Sequence, residues 1–343
     1  MPGRRYEYRL SSDAKAVKPW SDIYTFTTAP ADGSGYRFGF IADTGLIGRS
    51  DGLVTGTSQI ISELKQDSPL FILGGGDYAY AFRDGRFSEP GGAADAFFSQ
   101  MQPLFTDIPF IAQFGNHELR LREGLKHWLP RLANPPGFRD TSYSFDVGDV
   151  HFTGLLADGY NELDEKLLAW LDNDLASARD KGTQWLIVFQ HEPVYGHGTS
   201  HAARPEAVDL LAPIFVKHKV DLLLTAHDQS YERTYPLAGD PGAPTIANDG
   251  TSEYQQGEGV IYAKISPSGK MSERSFGFSR LPDQLPPFIA ISNDTAHHYA
   301  LVDIDQTGLT YTAFSIAGDG SAKALLDSFH IQRRDISATS PIE

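Results

Sequence analysis

The stretch Phe71-Ile-Leu-Gly-Gly-Gly-Asp77-Tyr-Ala-Tyr80 decides how the rest of the chain is read. A short apolar run follows Pro69 and ends in three glycines, the pattern of a buried strand rather than a helix. Asp77 then stands where the strand opens into a loop, the usual position of ligands on an open α/β sheet. Taken alone, the stretch equally fits a glycine-rich turn whose aspartate bonds its own backbone.

Four further strand-like runs end in ligand-type residues. Asp43 follows Ile41-Ala42, and Asn116-His117 lies in Gly115-Asn-His-Glu118. His191 closes Val188-Phe-Gln-His, and His227 opens His-Asp-Gln-Ser-Tyr-Glu-Arg233. A loop aspartate is ordinarily a turn residue and a lone histidine ordinarily a structural one, but an ordered set at consecutive strand ends is hard to explain that way. Oxygen donors mixed with imidazoles suit Zn, Mn or Fe rather than Ca. Two carboxylates, one placed to bridge, suggest a pair of ions about 3.5–4 Å apart.

Composition bounds the rest. The 343 residues suffice for one large domain and a small appendage, and 41% hydrophobic with 21% charged residues fits a globular enzyme. With 29 Lys and Arg against 44 Asp and Glu, the net charge of −15 argues against general nucleic-acid or anionic-membrane binding. An anionic substrate then needs local positive charge, such as bound metal. The chain has no cysteine, which excludes disulfides, thiolate zinc sites and a cysteine nucleophile.

Residues 6–28 hold two alternating runs joined by a polar connection, which predicts a hairpin. A lone hairpin is marginal in water, so residues 1–29 are expected to close a β-sandwich whose earlier strands lie upstream. The pattern resembles the end of a fibronectin-III-like domain, with 30–35 as linker, 36–335 as the main domain and 336–343 as a flexible tail. The first residues lack the apolar segment of a secretory signal. Either the chain is cytoplasmic or its natural start lies upstream, and the hairpin favours a full-length form that is secreted or periplasmic.

In the main domain, strands are expected at Arg37–Ala42, Leu70–Leu73, Phe110–Phe114, Trp185–Gln190 and Val220–Thr225, with helices over about 54–66, 93–104, 162–180 and 204–218. A hairpin is expected over Gly148. Strands return after residue 258, and the Pro/Gly-rich stretch 236–257 reads as irregular.

Asp-x-Gly, Gly-Asp-x-x-Tyr, Gly-Asn-His-Glu, Val-x-x-His and a final His-x-x-x-Tyr-Glu-Arg, in that order over residues 36–235, resemble the purple acid phosphatase branch of the calcineurin-like metallophosphoesterases. The resemblance implies an α/β fold: a four-layer αββα sandwich of two mixed sheets. It implies a dinuclear centre of Fe, Zn or Mn, with Asp43 and Tyr80 on the first ion, Asp77 bridging, and Asn116, His191 and His227 on the second. His117 would face substrate together with Asn116, and His197 or His201 would donate a proton. Arg120 is a candidate for gripping the phosphate, and Arg83 and Arg86 are weaker ones. The implied activity is hydrolysis of a small phosphorylated substrate, as an acid phosphomonoesterase, by a metal-activated water.

One position departs from the family pattern. Gln229 stands where the first ion would receive a histidine, and Ala226 where the pattern has glycine. Three outcomes are open: a weak or empty first site, a different metal there, or a substitute ligand such as Asp228, which a turn would point away. A second reading follows, in which the same scaffold acts on a diester or a non-phosphate substrate, or binds metal without hydrolysis.

Overall fold

The computed structural model describes residues 1–12, 19–87, 89–119, 124–139, 141–157, 163–272 and 279–334. Strands β1 (Arg5–Tyr8) and β2 (Tyr24–Thr27) form the expected hairpin, and β3 (Tyr36–Ile41) opens the main domain. There follow α1 (Thr57–Asp67), β4 (Ile72–Gly74), α2 (Pro90–Phe105), β5 (Phe110–Ala112), α3 (Asn116–Leu119) and α4 (Gly124–Trp128). The second half of the α/β pattern is β6 (Tyr143–Val147), β7 (Val150–Gly154), α5 (Glu165–Asp180), β8 (Trp185–Phe189), α6 (Pro205–Lys217) and β9 (Leu222–Thr225). Then come β10 (Tyr231–Thr234), β11 (Leu237–Ala238), β12 (Thr245–Ile246), β13 (Glu253–Gln255) and β14 (Ile261–Lys264). The chain closes with β15 (Ile289–Asn293), β16 (His297–Ile304), β17 (Gly308–Ile316) and β18 (Ala324–Gln332).

Two seven-stranded mixed sheets face each other, ordered β13-β18-β17-β16-β3-β4-β5 and β15-β10-β14-β9-β8-β7-β6. Three apolar layers separate four structural ones. Phe38, Phe40, Phe152, Trp185 and Tyr311 pack between the sheets. Ile60, Leu64, Phe97 and Met101 bury α1 and α2 against the first sheet, and Leu171, Leu175, Leu211 and Phe215 bury α5 and α6 against the second. The α5 stripe Leu167, Leu171, Leu175 and Ala178 follows helical spacing, and Asp164 caps its start by accepting from Leu167 N at 2.9 Å. Such a cap contributes about 1 kcal/mol.

The hairpin β1–β2 is tied to the main domain by Tyr8 Oη to the Thr106 carbonyl at 2.7 Å and by Thr25 N to Asp107 at 3.1 Å. The stretch 236–257 is more regular than its composition predicts. β11 pairs with β12, and β13 adds a parallel edge strand to β18. Tyr254 of β13 is fully buried against Phe329, and the Arg233 guanidinium donates to its hydroxyl at 2.8 Å, so tertiary packing overrides local Pro/Gly content. The flexible tail expected over 336–343 lies outside the described residues, as does Arg120. Among the described residues no helix is long and apolar enough to cross a membrane.

Candidate metal centre

β3 and β4 are parallel neighbours, as are β4 and β5, and β8 and β9. Their C-terminal ends therefore open at the same edge, where the crevice of an open α/β sheet takes ligands. Asp43, Asp77 and Asn116 arrive from the first sheet, and His191 and His227 from the second. Of the eight non-glycine residues with positive φ among those described, five are Asp43, Asp77, Tyr80, His227 and Gln229. Such conformations cost about 1–3 kcal/mol each and persist where surrounding structure holds them, chiefly at functional sites.

His191 fixes the chemistry. Its Nδ1 lies 2.7 Å from the Gly75 carbonyl, which can only accept, so the neutral ring carries its lone pair on Nε2. That nitrogen faces Asn116 Oδ1 at 3.2 Å, His227 Nδ1 at 3.1 Å and Asp77 Oδ2 at 3.3 Å. One ligand atom from each of Asp77, His191 and His227 lies within 4.8 Å of the others. Electron-pair donors converging in a buried space call for a cation. A proton answers the same demand. Burial opposes the charged ring, yet Asp77, Asp43 and the Gly75 carbonyl push His191 up to about 10, while burial and the facing His191 push His227 down to about 3.

The side lined by Asp43, Tyr80 and Gln229 is richer in oxygen. Burial, reinforced by the charge of Asp77, pushes the Asp43 carboxyl up to about 6. It accepts from Tyr80 Oη at 2.5 Å, Ser266 Oγ at 2.8 Å and His227 N at 3.0 Å. Gln229 Nε2 lies 3.3 Å from Tyr80 Oη, and Gln229 Oε1 is buried without a hydrogen-bond partner among the described residues. Two buried carboxylates and an orphaned amide oxygen fit a second cation held mainly by oxygen donors. Although burial opposes ionisation, His191 and His117 hold the Asp77 carboxyl well below the usual range. Its Oδ1 accepts from His117 N at 2.8 Å, which leaves Oδ2 turned toward His191.

The other expected residues divide. The His117 ring packs on the Tyr80 ring with centroids 4.3 Å apart, and its Nε2 is 4.0 Å from Asp77 Oδ2. The His201 side chain is 58% exposed and its ring centroid lies 4.6 Å from that of His227. His197 is exposed and its Nδ1 bonds the carbonyl of Gly198 at 2.8 Å, within its own loop. Arg86 is committed to Asp84 and to the Leu46 and Ile47 carbonyls, which places it in a structural role. Asp228 turns away from the centre and accepts from Thr199, Ser200 and His201 N, which removes it as a substitute ligand. Burial alone would raise the Asp228 carboxyl, but Lys264 and those N–H groups hold it below its ordinary value.

Sequence reasoning missed Glu118, which gathers the N–H groups of Asp77 at 2.7 Å, Tyr78 at 2.9 Å and Gly115 at 3.0 Å. Its fully buried carboxylate ties the β4 and β5 loops together, and burial beside Asp77 pushes it up to about 8 despite those donors. Glu118 stood inside the quoted motif, but nothing local signals bonds to backbone about 40 residues away.

The sequence pattern of the calcineurin-like phosphoesterase family matches residues 36–231, more than half of the chain. The chain belongs to that family. It is 28% identical over 294 residues to purple acid phosphatase 21 of Arabidopsis thaliana, covering 82% of this chain and 62% of that protein. To acid phosphatase type 7 of Mus musculus it is 25% identical over 345 residues, covering 90% and 72%. The chain thus spans about three fifths of the length of the plant relative. A purple acid phosphatase from yellow lupin (Lupinus luteus) superposes with a TM-score of 0.79 at 21% identity, over 97% of this chain and 60% of that one, and so shares its fold.

Proposed function

We propose that this chain hydrolyses phosphate esters of small molecules with metal bound at the centre described above, as an acid-phosphatase-like phosphomonoesterase. The observation that carries the reading is the convergence of Asn116 Oδ1, Asp77 Oδ2 and His227 Nδ1 on His191 Nε2, with Asp43, Tyr80 and Gln229 Oε1 beside them. Asn116, His191 and His227 would hold one ion, Asp43, Tyr80 and Gln229 the other, and Asp77 both. Ions bound there would neutralise phosphate oxygens and lower the pKa of a water toward neutrality.

The protein's own groups do the rest. His117, anchored by its ring on Tyr80, would orient the ester oxygens together with Asn116. His201, exposed and with its ring against that of His227, would give a proton to the leaving oxygen. His197 is the weaker choice for that role because its Nδ1 is committed to its own loop. Asp77→Asn tests the reading: metal content and turnover of an aryl phosphate should fall together, and a variant that keeps both would reject it.

Gln229 favours a second version of the reading, in which the oxygen-rich site is weaker than its partner and the centre works with one firmly held ion. Chelator titration separates the versions, since one ion should leave well before the other. β1 and β2, paired only with each other among the described residues, support reading residues 1–29 as a unit separate from the main domain.

A further inference from the structure

A buried clasp joins the turn that carries His227 and Gln229 to the loop 197–201. Two carboxylates take five consecutive backbone N–H groups of that loop. Glu232 Oε2 accepts from His197 N at 2.8 Å and Oε1 from Gly198 N at 2.8 Å. Asp228 Oδ2 accepts from Thr199 N at 2.5 Å, and Oδ1 from Ser200 N at 2.7 Å and His201 N at 2.6 Å. Lys264 Nζ lies between the two carboxylates, 3.2 Å from Asp228 Oδ2 and 3.0 Å from Glu232 Oε1. All three side chains are at most 1% exposed.

A run of bare amide N–H groups is an anion-binding surface, and in a loop over a phosphate-binding centre it could take the substrate itself. Here the chain's own carboxylates fill it. The loop is thereby held to the turn that carries His227, and its last captured residue, His201, lies against the His227 ring. Asp228 sits between two metal-ligand candidates, so a single short segment places both the ions and the imidazole.

We propose that Asp228, Glu232 and Lys264 are positioning residues that set His201 for proton donation to the leaving group. This rests on the ester-hydrolase reading. As the water oxygen bonds to phosphorus and the ester P–O bond breaks, an alkoxide leaving group takes a proton from the His201 ring. The proton lost by the water returns to that ring over the cycle. A nitrophenolate leaves without that proton, so the clasp should matter for alkyl esters and much less for nitrophenyl ones.

The test compares kcat for an alkyl phosphate and for 4-nitrophenyl phosphate in wild type, Asp228→Asn, Lys264→Met and His201→Ala, with metal content measured in each. Asp228→Asn should lower the alkyl rate at least about tenfold more than the nitrophenyl rate, within the range of general-acid effects. His201→Ala should cost little more on the alkyl ester once Asp228 is changed. Amide exchange of a peptide covering 197–201 should accelerate at least about tenfold in both clasp variants, as expected when a held loop opens. An unchanged ratio between the two esters, slow exchange in both variants, or loss of metal from Asp228→Asn would each overturn the proposal. If wild type turned over neither ester, the ester-hydrolase reading and with it the proton-donation role would fall. The exchange measurement would still decide whether the clasp holds the loop.

Discussion

The Gln229 amide nitrogen lies 3.3 Å from the Tyr80 hydroxyl, and that hydroxyl donates to Asp43 at 2.5 Å. The three side chains form one unit on the oxygen-rich side of the centre. Imidazole binds borderline divalent ions better than a neutral amide oxygen does. Gln229→His should therefore raise the zinc retained against a chelator toward two equivalents per chain. Elemental analysis after graded chelation reads this, and unchanged retention would show that Gln229 is no handicap.

Gly115 lets the β5 loop pass against the Asp77 carboxylate. A Cβ there would run into Asp77 Oδ1 and lie 2.8 Å from His191 Cε1, a contact the buried side chains have no room to relieve. Gly115→Ala should weaken metal binding by about 10–100-fold, the range seen when support around metal ligands is disturbed. Glu118→Gln should act in the same direction, because one of its oxygens becomes a donor facing N–H groups. Isothermal titration with zinc measures both, and affinities equal to wild type would contradict the account.

The five candidate ligand positions stood out because each follows a strand of apolar residues, and the ordered set constrains the fold more than any one motif does. The strand expected at Arg37–Ala42 runs Tyr36–Ile41, and the hairpin over Gly148 forms with Val147 opposite Val150. Elements whose stability comes from distant partners were not legible. β13 lies in a stretch of prolines and glycines and exists because it pairs with β18, about 77 residues on in register. Glu118, Asp228 and Glu232 likewise act on backbone N–H groups remote in sequence, and a pattern of side chains carries no sign of that.

His151 bridges two carboxylates on the outer side of the second sheet, with Asp146 at 2.6 Å and Asp174 at 3.0 Å. Burial would lower its pKa, but Asp174 and Asp146 outweigh burial and raise it. A raised folded pKa adds stability that is complete below the unfolded value and is lost as pH rises through the folded one. Asp174 runs the other way. Burial opposes ionisation, yet His151 and the Ser144 and Thr153 hydroxyls lower its pKa, so its contribution is lost as pH falls through that lowered value. The pair should stabilise the fold most between the two, in the mildly acid range. Melting temperatures of wild type and His151→Gln from about pH 4 to about pH 9 should differ most in that range and converge at alkaline pH. A constant difference would exclude the bridge as the cause.

Arg233 is fully buried and pairs with Asp327 through Nε at 2.5 Å and Nη2 at 3.0 Å. Arg233→Met leaves the Asp327 charge buried without compensation and should cost about 3–5 kcal/mol. Neutralising Asp327 as well should recover part of the loss. Denaturant unfolding of the single and double variants measures both, and a single variant as stable as wild type would refute the assignment.

Metal quantification on the purified protein, run beside a panel of phosphate mono-, di- and triesters, tests the central claim most directly. One to two transition-metal ions per chain, with turnover of an aryl phosphate that chelation abolishes and metal restores, is the predicted result. A metal-replete protein inert toward every ester in the panel would contradict it.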